Sequence, residues 1–81
     1  MKVIFLDRFT SSFQEAPERV RREFGKQLGF LLADLRHPSL RAKKYDEARG
    51  IWQARVDREW RFYFRIEDDA YQLLDIIPHP K

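Results

Sequence analysis

Arginine side chains recur in the C-terminal half of the sequence, where their spacing suits the binding of phosphate groups. Arg55 lies in one apolar-polar alternating segment, and Arg61 and Arg65 lie in the next. A planar guanidinium can donate two parallel hydrogen bonds to one phosphate, and arginine makes up 11 of the 16 basic residues. The composition therefore allows binding of a polyanion such as nucleic acid, but an ordinary solvated arginine-rich surface is an equally good interpretation.

The charge is unevenly distributed along the chain. Residues 36–65 carry nine basic and four acidic side chains, a net of +5, whereas residues 66–81 carry one basic and four acidic side chains, a net of −3. The whole chain has a net charge of only +3. A polyanion-binding surface needs basic residues that cluster in space, so the elements that position the arginines decide between the two interpretations.

Three strand-like segments, 51–56, 60–66 and 71–77, carry these arginines or follow them. In the first two, the even-numbered positions are apolar: Trp52, Ala54, Val56, Trp60, Phe62, Phe64 and Ile66. The odd-numbered positions are mostly polar: Gln53, Arg55, Arg61, Tyr63 and Arg65. This alternation predicts one face buried in a core and one exposed face.

The loop between the first two segments determines whether their faces match. A two-residue turn would place Val56 opposite Arg61 and mix the apolar and polar faces. A three-residue loop, 57–59, places Val56 opposite Trp60 and Arg55 opposite Arg61. We therefore predict the three-residue loop, with the arginines and Tyr63 together on the exposed face and a second turn at 67–69.

The N-terminal half predicts a strand at 2–6 and two helices. Capping-box spacings at Ser11 and Ser12 place the start of the first helix there, and the second follows Pro17 and ends at 36–38. Gly25 and Gly29 predict a close approach of another element to the second helix. The apolar stripe of that helix is Val20, Phe24, Leu28, Leu31 and Leu35.

These elements predict one α+β domain over residues 1–81. Two N-terminal helices pack on a small antiparallel sheet in the order β-α-α-β-β-β, and residues 39–50 form a basic polar connection.

Length and composition restrict the kinds of function. The absence of cysteine excludes disulfides and thiolate metal sites, and two histidines alone cannot hold a structural zinc. No segment approaches the roughly 18 apolar residues of a membrane span, and the apolar run before Asp7 is only four residues, 3–6, too few for a signal peptide. We expect a soluble cytoplasmic protein.

At 81 residues the chain is too short to enclose a typical substrate pocket, so any catalysis would act on a large substrate across an open surface.

Three segments together resemble the C-terminal half of the RelE/ParE toxin superfamily, nearest its YoeB-like and RelE-like branches. They are RGIWQARV at 49–56, WRFYFRIEDD at 60–69 and IIPH at 76–79. Phe9, Phe13 and the sequence HPSL at 37–40 extend the similarity over essentially the whole chain.

The resemblance implies a toxin of a toxin–antitoxin pair that cleaves mRNA, on the ribosome or free, with the RNA 2′-hydroxyl as the nucleophile. Such an enzyme needs no metal or other cofactor. Arg61 matches the arginine that contacts the scissile phosphate, Arg55 matches a position that is commonly basic, and His79 matches a histidine suited to proton transfer. These three are the expected catalytic residues.

The same resemblance implies the remaining contacts and partners. The expected RNA-binding residues are Lys43, Lys44, Arg49, Arg65, Tyr63 and Lys81. The expected partners are a cognate antitoxin, mRNA and the ribosome, with operator DNA bound only through the antitoxin and no membrane.

The sequence departs from the family pattern at the general base. The position of a glutamate in the YoeB-like branch falls near Ala42, with Asp46 and Glu47 as the nearest carboxylates. Gln53 stands where RelE has a lysine, and no aromatic residue follows His79. Other functions therefore stay open: a ParE-like inhibitor of DNA gyrase, a degenerate toxin that only binds its antitoxin, or a free-standing RNA-binding domain. Arg61 itself also has an ordinary alternative, a surface ion pair with Asp57 or Glu59.

Overall fold

The computed structural model describes residues 1–79 and contains two helices and one five-stranded sheet. The elements in chain order are β1 (Lys2–Phe5), α1 (Asp7–Glu15), α2 (Glu18–Ala33), β2 (Lys43–Asp46), β3 (Ile51–Arg55), β4 (Trp60–Glu67) and β5 (Ala70–Pro78). The strands are arranged in the order β1-β5-β4-β3-β2. The predicted α+β class, with two N-terminal helices on a sheet, is confirmed.

Two details of the predicted sheet are wrong. The expected polar connection at 39–50 contains the strand β2, and β1 runs parallel to β5, so the sheet is mixed rather than antiparallel. The alternating pattern of a half-buried strand is missing from β2 because it is an edge strand whose Lys43, Lys44 and Tyr45 are exposed. Charged residues on an edge strand also discourage pairing with other chains.

The predicted loop between β3 and β4 is confirmed. Arg55 lies opposite Arg61 and Ala54 lies opposite Phe62, while the Val56 amide donates to the Trp60 carbonyl oxygen over 2.9 Å. The next hairpin turns at Asp68 and Asp69, whose φ values of 53° and 60° are left-handed. Two consecutive residues of this kind match the twist of the flanking strands.

The helices cover one face of the sheet with a core rich in phenylalanine. Phe24 of α2 packs on Phe9 of α1 and on Phe62 of β4, with ring centroids 5.1 Å apart in both pairs. Val20 and Leu31 are fully buried on the same side of α2, as the apolar stripe predicts. This core holds β4, and with it Arg61, in a fixed position relative to α2.

The predicted helix boundaries need correction. Helix α1 begins at Asp7 rather than near Ser11 or Ser12, and the Ser12 hydroxyl donates to the Asp75 carboxylate over 2.6 Å instead of capping a helix. Asp7 places a carboxylate in the first turn, where the helix dipole favours it.

Helix α2 begins one residue after Pro17 and ends at Ala33, before the predicted 36–38. Leu35 therefore lies beyond its end. The expected close approach at Gly25 and Gly29 is also wrong, because a Cβ at either position would meet open space. Neither helix of the described chain is long and apolar enough to span a bilayer.

Asp57 closes the loop 57–59 and links it to α2. Its carboxylate accepts hydrogen bonds from the Glu59 and Trp60 amides, at 2.8 and 2.9 Å, and forms an ion pair with Arg19. Burial alone would raise the pKa of Asp57, but these three contacts outweigh it and the pKa is lowered. The charged form is therefore the one that stabilises the loop.

We expect Asp57→Ala to reduce the free energy of unfolding at pH 7 by about 1–3 kcal/mol, because two amides lose their acceptor. Since the pKa of Asp57 is lowered by folding, its contribution is present above roughly pH 4 and is lost as the pH falls below that value. Urea unfolding of both proteins at pH 7 and pH 3 checks this. A stability difference that stays constant over that range would contradict it, and the exposed helical Glu15→Ala is the control.

Candidate functional site

A cleft of about 350 Å³ opens near the loop 57–59, where β3 and β5 end and β4 begins. Its lining residues are Arg41, Lys43, Gln53, Ala54, Arg55, Arg61 and His79. We call it the arginine cleft. It brings together the three expected catalytic residues, Arg55, Arg61 and His79, with Lys43 of the expected RNA-binding set.

Arg61 is held in the arginine cleft by backbone carbonyl groups. Its Nη1 donates to the carbonyl oxygens of Asp57 and Trp60 at 2.8 and 3.0 Å. The alternative ion pair with Asp57 or Glu59 does not form: the Asp57 carboxylate binds Arg19. Within residues 1–79 no carboxylate lies within ion-pair distance of Arg61, so the guanidinium charge remains available to an anion.

The surroundings of Arg61 in the arginine cleft disfavour its charged form. Burial lowers the pKa of Arg61, the neighbouring Arg55 and Arg41 lower it further, and Tyr63 and Asp57 act in the opposite direction. A guanidinium nevertheless stays protonated at physiological pH. A bound anion would relieve the repulsion between these cations, which have no carboxylate among them in the described cleft. Perturbed pKa values of this kind are common at functional sites.

Two residues that the sequence analysis did not identify position the site. Arg41 has a φ of 46° at the end of the loop after α2, and the preceding Leu40 accepts the Arg55 amide over 2.8 Å. Gln27, only 3% exposed, donates from Nε2 to the carbonyl oxygens of Ser39 and Arg55 at 3.0 and 2.9 Å. Its Oε1 accepts the Ser39 hydroxyl at 2.9 Å.

A signal for Gln27 exists in the sequence. It lies seven residues after Val20, on the apolar face of α2, where a polar side chain must find partners inside the protein. No comparable pattern marks Arg41, because it lies in an irregular loop.

His79 reaches the arginine cleft from the end of β5. Its backbone amide donates to the Glu59 carbonyl oxygen over 2.6 Å, so the loop 57–59 anchors this residue as well as Arg61. The exposed side chain lines the cleft beside the arginines. An imidazole there can exchange a proton with a ligand held by the cations.

Three of the expected RNA-binding residues lie elsewhere. Lys44 is on the opposite face of β2 from Lys43, with its Nζ 5.2 Å from the centroid of the Trp52 ring. Arg65 is four residues along β4 from Arg61, about 13 Å away, where its Nε donates to the Arg49 carbonyl oxygen over 3.1 Å. Arg49 also pairs with Asp46 at 3.7 Å. Lys81 lies outside the described residues.

The predicted exposure of Tyr63 is wrong. Its side chain is buried, with 9% of its surface accessible, and its hydroxyl accepts a hydrogen bond from Gln53 over 2.9 Å. A register shift in β2 leaves Tyr45 without a partner in β3, and the Tyr45 ring packs edge-on over Tyr63 at 5.0 Å. Tyr45 is 61% exposed and takes the surface position expected for Tyr63.

No group of three or more histidine, aspartate and glutamate side chains is arranged to hold a metal ion within residues 1–79. The chemistry offered by the described cleft is that of four cationic side chains and one imidazole.

The fold is similar to that of several RelE/ParE toxins of known structure. The chain is similar to a YoeB/ParE toxin from Agrobacterium tumefaciens, with a TM-score of 0.79 and 14% identity over 99% of this chain and 100% of that one. It is also similar to the archaeal RelE–RelB complex from Pyrococcus horikoshii, with a TM-score of 0.76, 16% identity and coverage of 95% and 92%. A third match is the YoeB–YefM toxin–antitoxin complex from Staphylococcus aureus, with a TM-score of 0.77, 12% identity and coverage of 99% and 98%.

These matches confirm the resemblance to the superfamily at the level of the fold. No protein-family model and no curated protein matches the sequence.

Replacement of Gln27 tests its positioning role. We expect Gln27→Leu, which keeps the approximate volume, to reduce the free energy of unfolding by about 1–3 kcal/mol because the Arg55 and Ser39 carbonyl groups lose their donor. Amide hydrogen exchange should show greater opening of residues 39–41 and 55–57. The exposed Gln14→Leu is the matched control; equal effects of the two substitutions would contradict the assignment.

Proposed function

We propose that the protein is the toxin of a toxin–antitoxin pair and acts as an mRNA endoribonuclease. The observation that carries this proposal is the meeting of Arg55, Arg61 and His79 with Arg41 and Lys43 in one open cleft. The fold shared with RelE/ParE toxins supports the same function.

The proposed reaction needs little from the protein because the RNA carries its own nucleophile. The 2′-hydroxyl loses its proton to solvent water and its oxygen attacks the adjacent phosphorus. A 2′,3′-cyclic phosphate forms as the bond from phosphorus to the 5′-oxygen of the next nucleotide breaks. Arg61 and Arg55 stabilise the extra negative charge on the phosphoryl oxygens. His79 donates a proton to the leaving 5′-oxygen, and Arg41 and Lys43 hold the strand in place. This proposal uses no metal ion and no organic cofactor.

The proposed partners follow from the same comparison. Two of the similar structures are complexes of a toxin with RelB or YefM, which supports a cognate antitoxin for this chain. We place its action in the cytoplasm on mRNA, free or on the ribosome, with operator DNA contacted only through the antitoxin.

A non-cleaving toxin is the second candidate, and one observation favours it. The part of the arginine cleft that the structure describes contains no carboxylate. Ala42, near the position of the YoeB-like glutamate, lines a different cavity beside Trp52. A ParE-like inhibitor of DNA gyrase, or a toxin that only binds its antitoxin, would not need that base.

The two candidates are distinguished by induced expression with mapping of transcript 5′ ends. We expect wild-type protein to stop growth and generate new 5′-hydroxyl ends. Arg61→Ala should slow cleavage of a model RNA by roughly 10²–10³-fold and His79→Ala by about 10²–10⁴-fold. A single 2′-deoxy substitution at the cleaved position should prevent cleavage.

The matched control is Arg22→Ala, which removes an exposed arginine of α2 that lines no described cleft. Intact transcripts together with a DNA-damage response would favour gyrase inhibition instead. Cleavage that is unchanged in both site variants would refute the assignment of the arginine cleft.

A further inference from the structure

A second groove, of about 440 Å³, lies beside the arginine cleft between α2 and the loop 57–59. Arg41 and Arg55 line both spaces, so the two spaces adjoin at these residues. We call the second space the α2 groove. Its other charged residues are Glu23, Lys26, Asp57 and Arg58.

The charge of the α2 groove is predominantly positive. Of its two carboxylates, Asp57 is already bound by Arg19 and two backbone amides. Lys26, Arg58 and the two shared arginines form no ion pair within residues 1–79. Lys26 and Arg58 are also exposed, so their charges are accessible to a ligand from solvent.

Single-stranded nucleic acid is commonly bound in positively charged grooves that follow its backbone over several nucleotides. We propose that the RNA strand continues from the arginine cleft past Arg41 and Arg55 into the α2 groove. There Lys26 and Arg58 contact a phosphate that flanks the scissile one. This inference rests on the proposed function, since it extends the path of the same substrate.

The bottom of the α2 groove indicates how the flanking nucleotide is recognised. The Gln27 amide is fully used by Ser39 and Arg55, and within residues 1–79 no buried side-chain polar atom is left without a partner. The groove therefore offers cations to the RNA backbone and few free groups to a base edge. Contacts of this kind strengthen binding without selecting a sequence.

The experiment compares two RNAs that differ in length, both made with 2′-O-methyl groups to prevent cleavage. A dinucleotide with one phosphate occupies only the arginine cleft, whereas a decanucleotide reaches both spaces. Affinities are measured by chemical-shift titration and by fluorescence polarisation, respectively, at several salt concentrations. The variants are Lys26→Gln, Arg58→Gln and Glu23→Gln, with Lys2→Gln and Glu67→Gln as exposed controls of equal charge change at a distance from the groove.

We expect Lys26→Gln and Arg58→Gln to weaken decanucleotide binding about three- to fivefold each, as expected for one exposed ion pair. The slope of log affinity against log salt should fall by about 0.7 for each substitution. Glu23→Gln should tighten binding of the decanucleotide, because it removes a repulsive carboxylate. None of the three should change dinucleotide binding.

Losses of decanucleotide affinity no larger than the loss in Lys2→Gln would overturn the proposed role of the α2 groove and leave that of the arginine cleft intact. If Arg61→Ala failed to weaken the dinucleotide, the arginine cleft itself would be wrong, and both the proposed function and this inference would fall. Altered cleavage positions in Lys26→Gln, with unchanged affinity, would also overturn it, because they would indicate base recognition.

Discussion

The odd length of the loop 57–59 is the constraint on which the site depends. In a hairpin, directly opposed residues share a face of the sheet. The loop length therefore decides whether the apolar residues of two alternating strands lie on the same face. With three residues, Ala54 lies opposite Phe62 under the helices while Arg55 lies opposite Arg61 on the other face. Asp57 closes this loop through its two amide contacts and Arg19. One loop therefore determines both the aromatic core and the cationic cleft, and its Glu59 carbonyl group also anchors His79.

The cations of the arginine cleft are held by the backbone rather than by acidic partners. Carbonyl groups of the loop 57–59 region fix Arg61, and Gln27 together with Leu40 fixes the backbone of Arg55. Ion pairs would have neutralised the charges that a phosphate needs, whereas carbonyl groups orient a guanidinium and leave its net charge intact. Burial, and then repulsion by Arg55 and Arg41, lowers the pKa of Arg61, and the core of Phe9, Phe24 and Phe62 supplies stability that offsets this cost.

The sequence predicted those parts of the molecule in which apolar residues recur with the period of a strand, two residues, or of a helix, 3.6 residues. The phase of β3 and β4, their loop and the stripe of α2 all depend on such periods. It did not predict β2, because an exposed edge strand has no buried face to impose alternation. Burial of Tyr63 depends on a register shift that brings Tyr45 over it, and the roles of Gln27 and Arg41 depend on a loop conformation. The place of Gln27 on the apolar face of α2 signals a buried polar group, but its partners, like the contacts of Tyr63 and Arg41, are tertiary contacts that no local pattern encodes.

The small size of the chain fits a reaction in which the substrate supplies much of the machinery. The arginine cleft and the α2 groove, as described within residues 1–79, are open to solvent. RNA suits such a surface because it brings the nucleophile and its phosphates can bind there. The modest net charge of +3 includes a local cluster of cations without acidic partners, which line the two adjoining spaces beside the loop 57–59. Because no carboxylate lines the described cleft, deprotonation of the 2′-hydroxyl by solvent would depend on the cations lowering its pKa, while His79 serves as the acid. Charge clustering would thus contribute to both binding and catalysis.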